Sequence, residues 1–503
     1  MPSSYESFYR YTSGRWLRDE ERQLALRYQR FDVEALKRAV LDCTGAKSVL
    51  DIRKLPEGRC NKVFLVELDN SRTVIARIPT PIAGPPHLVT ASEVATIHFL
   101  RNRLGLKQVP RVLAWSSRAS GTAVGAEYII METAVGVALD NVWDDLPMEM
   151  KLSVVYEWAK FEEPVIQAFS ESACYGSLYY RADLSPDDGK THDVITNGVK
   201  DNTFVIGPSL ETRLWSKDDH CHLLDVDRGS WPDVAAYLDS IIETQRAWIK
   251  RFASPPKICT PFDLPPSLQQ PAAHLRLLDQ LQDSNPNNIF LSQDALNRGK
   301  IEISAVIDWQ HTAILPLYLQ AQFPLFVSNW KPTGQDPDLE QFQKEHDYLR
   351  MAYHTLYQDG GLNNAWSSAL GYGLRIRPAA SVLHLLAATC WEGGYGHLKG
   401  KLMNVARDWH TAMMIAPDDP CPLEFSEEEL ARQSEEMRAF AEVHAYREDA
   451  QSKLGITIEN WVDHDTYDRA VEANRELRNG WLATLNAAEL DSGLPDHWPY
   501  RPF

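Results

Sequence analysis

The stretch DSNPNNIFLSQDALNRGKIEISAVIDWQ, residues 283–310, decides how this chain is read. It opens on a turn-forming run, 285–288, and passes into an apolar triplet, 289–291. A polar segment, 292–300, leads to a second apolar run, 301–307, closed by Asp308. Two β-prone runs joined by a polar turn predict an antiparallel pair. In such a pair the start of one strand and the end of the other share an edge, so Asn288 and Asp308 are predicted to converge. An amide and a carboxylate meeting beside a cleft are oxygen ligands of the kind a phosphate-bound magnesium takes. A local reading stands beside this one: 285–288 as a plain turn and Asp308 as a loop starter.

Working outward, Asp283 lies five residues before Asn288, the spacing at which kinase loops hold a base that orients an acceptor hydroxyl. It fits a turn equally well. Toward the N-terminus the texture is β-rich. Residues 62–68 and 74–78 read as strands around the turn Asp69-Asn-Ser71, and 127–131 as a strand buried on both faces. A helix is predicted over 90–101, giving strand, strand, helix, strand. The loop 57–62 precedes a strand and is placed to cover phosphates, with Gly58 and Asn61 as its contacts; one glycine is a weak signal. Arg77 falls among apolar strand residues, either facing a cleft with a partner or pointing outward. Glu93 is either that partner or the far end of a Thr90–Glu93 capping box.

Beyond residue 133 helices dominate: 141–169, 273–281, 339–358, 376–394, a capped helix from Ser426 to about 449, and 466–485. Residues 182–210 read as a polar loop and 253–272 as irregular. A helix capped by Asp32 ends near Gly45. The expected fold class is α+β, with a small β-rich lobe and a large, mostly helical lobe. The expected division is an N-terminal arm and helix (1–45), N-lobe (46–133), C-lobe (134–425) and C-terminal helical extension (426–503).

Composition bounds the function. Hydrophobic residues make up 44% and charged residues 24%, which is ordinary for a globular chain. With 51 basic and 69 acidic residues the formal charge is −18, which argues against nucleic acid and anionic membrane surfaces as partners and suits a neutral or cationic small molecule. The seven cysteines show no C-x-x-C pair, which argues against a disulfide framework or zinc and for a reducing compartment. Cys60 alone falls in a loop of interest. His274 and His311 have no partner at metal-ligand spacing and read as structural. No run approaches the ~18 apolar residues of a membrane span. Glu6, Asp19, Glu20 and Glu21 interleave the N-terminal arginines, unlike a transit peptide, so that segment is expected to fold with the rest.

Several strings together resemble a known family. They are YRYTSGRW (9–16), LPEG (55–58), TASEVA (90–95), GAEYIIME (125–132), YGSLYY (175–180) and IDWQ (307–310), with Trp461-Val462 and Tyr467-Asp468 near the end. In this order they resemble the altered inheritance of mitochondria protein 9 group of the aminoglycoside phosphotransferase/choline kinase superfamily, whose fold is protein-kinase-like. The resemblance implies ATP and Mg2+ as cofactors and a small-molecule acceptor, unidentified, phosphorylated on a hydroxyl. It gives Arg77 the place of the nucleotide-binding lysine and Glu93 that of its ion-pair partner. Met131, Glu132 and Thr133 become the hinge beside adenine, Asn288 and Asp308 the magnesium ligands, and Asp283 the base. It also implies a mitochondrial location, with the cytosol as the alternative. The chain departs from the family at two points. Leu281-Gln-Asp-Ser284 replaces the His-Pro-Asp-Leu loop, and a short strand before it is missing; Arg77 replaces a lysine, with different reach. The alternative function is therefore a catalytically impaired pseudokinase that binds nucleotide or a protein partner. A purely structural interaction protein would require the cleft at Asp308 to be filled by side chains.

Overall fold

The structure, a computed structural model, describes residues 5–169, 174–196, 198–216, 220–254, 302–315, 323–328, 339–358, 395–408, 425–457 and 459–500, together with 260, 262–263, 274, 289–291, 298, 300, 321, 366, 370, 421 and 423. The described strands in chain order are β1 (Gly14–Trp16), β2 (Val49–Lys54), β3 (Asn61–Leu68), β4 (Thr73–Pro79), β5 (Val112–Ser116), β6 (Tyr128–Glu132), β7 (Val137–Ala138), β8 (Ser177–Tyr180), β9 (His192–Thr196), β10 (Val199–Gly207), β11 (Ile289–Leu291), β12 (Ile303–Val306) and β13 (Trp461–Asp463). The longer helices are α1 (Val33–Thr44), α2 (Leu88–His98), α3 (Met148–Phe169), α4 (Val234–Phe252), α5 (Leu339–Gln358), α6 (Tyr395–Arg407), α7 (Glu427–Leu454) and α8 (Tyr467–Leu482).

Helix α1 begins where Asp32 accepts a hydrogen bond from the Ala35 N–H at 2.8 Å and ends at Gly45 in the left-handed region. Its buried Leu36 and Val40 cover one face of a five-stranded antiparallel sheet, ordered β2-β3-β4-β6-β5. Strict alternation in β3 sends Phe64, Val66 and Leu68 to that face, where Val74, Ala76 and Ile78 of β4 join them. The other face of β4 and β6 turns to α2 and the cleft. The expected hairpin is present, with Ser71 in the left-handed region at the turn. The two flanking strands, β2 and β5, were not anticipated.

The chain leaves the sheet after β6 and enters a second, three-stranded antiparallel sheet, ordered β12-β11-β7. Ile289 pairs with Val306, so the start of β11 and the end of β12 lie at one edge, as the residue pattern required. Helices α3 and α5 pack beneath, and with α2, β6 and β12 they share one hydrophobic core. A small antiparallel sheet and a larger helical body joined by a short hinge make a two-lobed, protein-kinase-like α+β fold.

Four expectations are corrected. The helix expected over 141–169 starts only at Met148, after a short 3-10 turn at Leu139–Asn141. Residues 182–210 are not a loop: β8, β10 and β9 form a further antiparallel sheet, with Phe204, Val205 and Ile206 buried. The polar residues there decorate the exposed side, and the turn between β9 and β10 holds Gly198 at φ 72°. Helix α2 begins at Leu88 rather than Thr90 and passes at its end into a π-helical turn, Phe99–Arg103. Helix α7 runs to Leu454, five residues beyond the expected end, and closes on left-handed Gly455; its Ser426–Glu429 capping box is as expected. The predicted helices over 273–281 and 376–394 lie outside the described residues, apart from His274.

The termini meet. β1 pairs antiparallel with β13, so the N-terminal arm is part of the folded body. A cluster including Leu17, Tyr467, Trp481, Trp498 and Tyr500 holds that union together. No described helix is long and apolar enough to cross a membrane.

Candidate functional site

Because Val74, Ala76 and Ile78 occupy the α1 side of the sheet, Ile75 and Arg77 take the opposite side and line a cleft. Arg77 is 8% exposed and cannot be an outward-facing surface arginine. Its first partner comes from α2. Every residue from Leu88 to Ile97 is buried, so this helix is central, and a carboxylate on it needs a partner. Glu93 Oε1 accepts from Arg77 Nη1. The capping-box reading of Glu93 falls with the helix start: His87 holds the cap position, and the Thr90 hydroxyl serves Glu127 instead.

Arg77 Nη2 donates to Asp308 Oδ1 at 3.1 Å and to Gln310 Oε1 at 3.4 Å. Burial works against the Arg77 charge, but the two carboxylates outweigh it and hold the guanidinium above its ordinary range. Burial also pushes the Glu93 carboxyl up, against the pull of Arg77. Asp308 follows β12 with a left-handed φ of 64°, uncommon for a non-glycine residue, and its side chain is 47% exposed. One carboxylate oxygen is thus tied to Arg77 while the group as a whole stands at the cleft mouth.

The cleft has a volume of about 450 Å³. Of the residues singled out from the sequence, Gly58, Asn61, Arg77, Met131, Glu132, Thr133 and Asp308 all line it, and Glu93 touches it through Arg77. Val63, Ile75 and Met131 give it apolar walls. A Cβ added at Gly58 would meet nothing within 4 Å, so packing does not demand glycine there. The Asn61 amide donates to Gln310 Oε1 at 2.6 Å and joins the loop to the segment after Asp308. The Glu132 carboxylate faces away from the cleft toward Arg111 and Arg101, so it is the hinge backbone that borders the space. Asp283 and Asn288 lie outside the described residues.

The lining residues missed as site members include the apolar Val63 and Ile75 and four with polar side chains, Arg59, Cys60, Gln310 and His311. Arg59 and Cys60 sat inside the 57–62 loop and Gln310 inside the IDWQ string, and adjacency was the available signal. Burial pushes the Cys60 thiol up to about 11, so it is not a reactive thiolate. Burial lowers His311, against the opposing pull of the Ala83 carbonyl, which its Nε2 meets at 2.6 Å. Beneath the loop, Glu57 bridges Lys54 and Lys62 at 2.7 and 2.8 Å and accepts from Thr12 N–H at 2.7 Å. Burial brings fully covered Lys62 down to about 8, against the opposing pull of Glu57. The loop is therefore anchored from below by the N-terminal arm, with its Gly58–Asn61 side toward the cleft.

Among the described residues no group of three or more His, Cys, Asp or Glu side chains could hold a metal ion. A nucleotide-borne magnesium needs less, since one or two protein oxygens suffice beside phosphate and water. The partly exposed Asp308 carboxylate fits that limited role.

No family model matches the chain. A subtelomeric hrmA-associated cluster protein of Aspergillus fumigatus is 30% identical over 511 aligned residues, covering 90% of this chain and 96% of the relative. Altered inheritance of mitochondria protein 9, mitochondrial, of Yarrowia lipolytica is 22% identical over 518 aligned residues, covering 92% of this chain and 86% of the relative. Among solved structures, an aminoglycoside phosphotransferase in ternary complex with ADP and hygromycin B matches 80% of this chain and 98% of its own, at 13% identity and a TM-score of 0.33. A macrolide 2′-phosphotransferase from Brachybacterium faecium matches 77% and 99%, at 11% identity and a TM-score of 0.31. Superposition at that level is partial, and the fold rests on the strand order and register given above. With both chains aligned over nine-tenths of their length at 30% identity, this protein belongs to the family of the subtelomeric hrmA-associated cluster protein, to which altered inheritance of mitochondria protein 9 is also related.

Proposed function

We propose that this protein is an ATP-dependent phosphotransferase acting on a hydroxyl of a small molecule. One observation carries the reading: a buried Glu93–Arg77 pair reaches Asp308 at the mouth of a cleft whose other walls are apolar strand residues and a hinge backbone. Val63, Ile75 and Met131 suit a planar base, and the loop Gly58–Asn61 covers the phosphates. Arg77, fixed by Glu93, grips phosphate oxygens in place of its bond to Asp308. Asp308 and Asn288 are the residues assigned to magnesium, which when bound neutralises charge on the transferring phosphates. Asp283 is assigned to accept the proton of the acceptor hydroxyl. The formal charge of −18 favours a neutral or cationic acceptor. The name of the Yarrowia relative supports a mitochondrial location, with the cytosol as the alternative.

A second reading is favoured by a specific pair of observations. Arg77 already holds one Asp308 oxygen, and the sequence 281–284 lacks the histidine of the family it resembles. A protein that binds nucleotide without turning it over would show both. Calorimetry with Mg-ATP on wild type and Asp308→Ala, followed by an ATP-turnover screen on wild type and Asp283→Ala, separates the two. The phosphotransferase reading expects binding lost in the first variant and turnover lost in the second. Binding without turnover in wild type supports the nucleotide-binding protein, and no binding at all overturns both.

A further inference from the structure

A second cavity of about 280 Å³, partly open, lies between α2, α3 and the segment that follows Asp308. Phe99, Leu100, Ile166, Leu178 and Ile314 make its walls apolar. The polar side chains among the described lining residues include Tyr175, Thr312, whose hydroxyl donates to the Trp309 carbonyl at 2.7 Å, Thr96 and Glu162. Thr96 is 5% exposed, and its hydroxyl has no hydrogen-bond partner. Glu162 lines the same space, with Oε1 accepting from the Tyr353 and Tyr357 hydroxyls, the latter at 2.7 Å. The interactions of the carboxyl with those tyrosines use one oxygen. Burial pushes the group up to about 7, against the pull of the two tyrosine hydroxyls and of the Trp158 indole.

An unpaired hydroxyl and a carboxyl bordering apolar space cost free energy unless something there meets them. Both can accept hydrogen bonds from a ligand donor, and the Thr96 hydroxyl and the protonated carboxyl can also donate, so it is charge that selects among ligands. A cation would also compensate the enclosed carboxylate, whereas an anion would meet it and the acidic chain as a whole. The volume is nearly twice the ~150 Å³ that takes a benzene ring, which leaves room for a ring and a short aminoalkyl arm. We propose that this cavity is a binding site for a small apolar amine, with its ammonium between Glu162 and Thr96 and its hydrocarbon against Phe99, Leu100, Ile166 and Leu178. The site is separate from the nucleotide cleft, and its existence does not depend on the phosphotransferase reading.

The test uses the full chain and three probes of one shape: 2-phenylethylamine, propylbenzene and 3-phenylpropanoate. Titration calorimetry is run on wild type, Glu162→Gln and the cavity-filling Val165→Phe, with urea unfolding as the check on folding. The amine is expected to bind wild type about tenfold or more tighter than either other probe. Glu162→Gln is expected to remove that advantage, and Val165→Phe to abolish binding. Equal binding of amine and propylbenzene, amine affinity unchanged in Glu162→Gln, amine binding retained in folded Val165→Phe, or no saturable amine binding to wild type would each overturn the proposal. If either variant does not fold, the comparison of the three probes on wild type still decides it.

Discussion

Arg77 and Glu93 bear on stability as well as on the cleft, because each is buried and each depends on the other. Arg77→Met strands a buried carboxylate and is expected to cost roughly 3–5 kcal/mol, read from urea unfolding. Arg77→Lys keeps one ion pair but not the fork to Asp308, so it should lose less stability while weakening nucleotide binding. Equal unfolding midpoints for Arg77→Met and wild type would show that the pair does not form in solution. Glu162 gives a pH dependence whose sign follows from its raised pKa. The folded state keeps the proton to about pH 7, whereas the unfolded chain releases it near the ordinary carboxyl value. Its contribution is therefore complete below the ordinary value and is lost as pH rises through about 7. Glu162→Gln should flatten the fall in stability between about pH 5 and pH 8, a difference of up to ~3 kcal/mol. A wild-type slope that survives in the variant would place the titrating group elsewhere.

At the scale of elements, the β9–β10 hairpin shows what single-residue texture hides. Its strands carry many polar side chains, yet Phe204–Ile206 are buried and Gly198 has the φ that a tight hairpin turn asks of a glycine. A Cβ at Gly198 would touch nothing within 4 Å, so Gly198→Ala isolates the backbone term. It should cost about 1 kcal/mol in unfolding free energy without altering the rest of the fold. No change in stability would mean that the turn relaxes to another conformation. Helix α2 makes the opposite point. It is buried all round, so its sequence carries no amphipathic stripe, and only the surrounding sheet and helices define which way Glu93 turns.

Across the whole molecule, the two ends of the chain brace the loop over the cleft. The N-terminal arm reaches Glu57 through Thr12 and Ser13, and β1 is held by β13. A Cβ on Gly14 would fall 2.3 Å from the Trp461 indole. Gly14→Val should therefore force the strands apart, cost about 1–3 kcal/mol, and speed proteolysis of the N-terminal arm. The Arg59–Glu459 pair bridges the same region at 2.7 Å, but its side chains are 42% and 45% exposed. A double-mutant cycle on it should return less than about 1 kcal/mol. Strong coupling there with a silent Gly14→Val would reverse this ranking of strand pairing over surface charge.

Much of this was readable from residue order. The α1 cap at Asp32, the β3–β4 hairpin and the pairing of 289–291 with 303–306 are local or near-local consequences of turn chemistry and strand alternation, whereas the meeting of Gly58, Asn61, Arg77, Met131 and Asp308 at one cleft was implied only by the family resemblance. Strand period alone left Arg77 two faces to choose from, and a Thr-x-x-Glu pattern alone left Glu93 two roles. Those choices were made by tertiary structure: α1 covers one face of the sheet, so Arg77 must use the other, where buried α2 presents Glu93. The Glu162 cavity and the joining of the termini were likewise invisible in the chain, because they bring together residues separated by hundreds of positions, and only packing decides such distances.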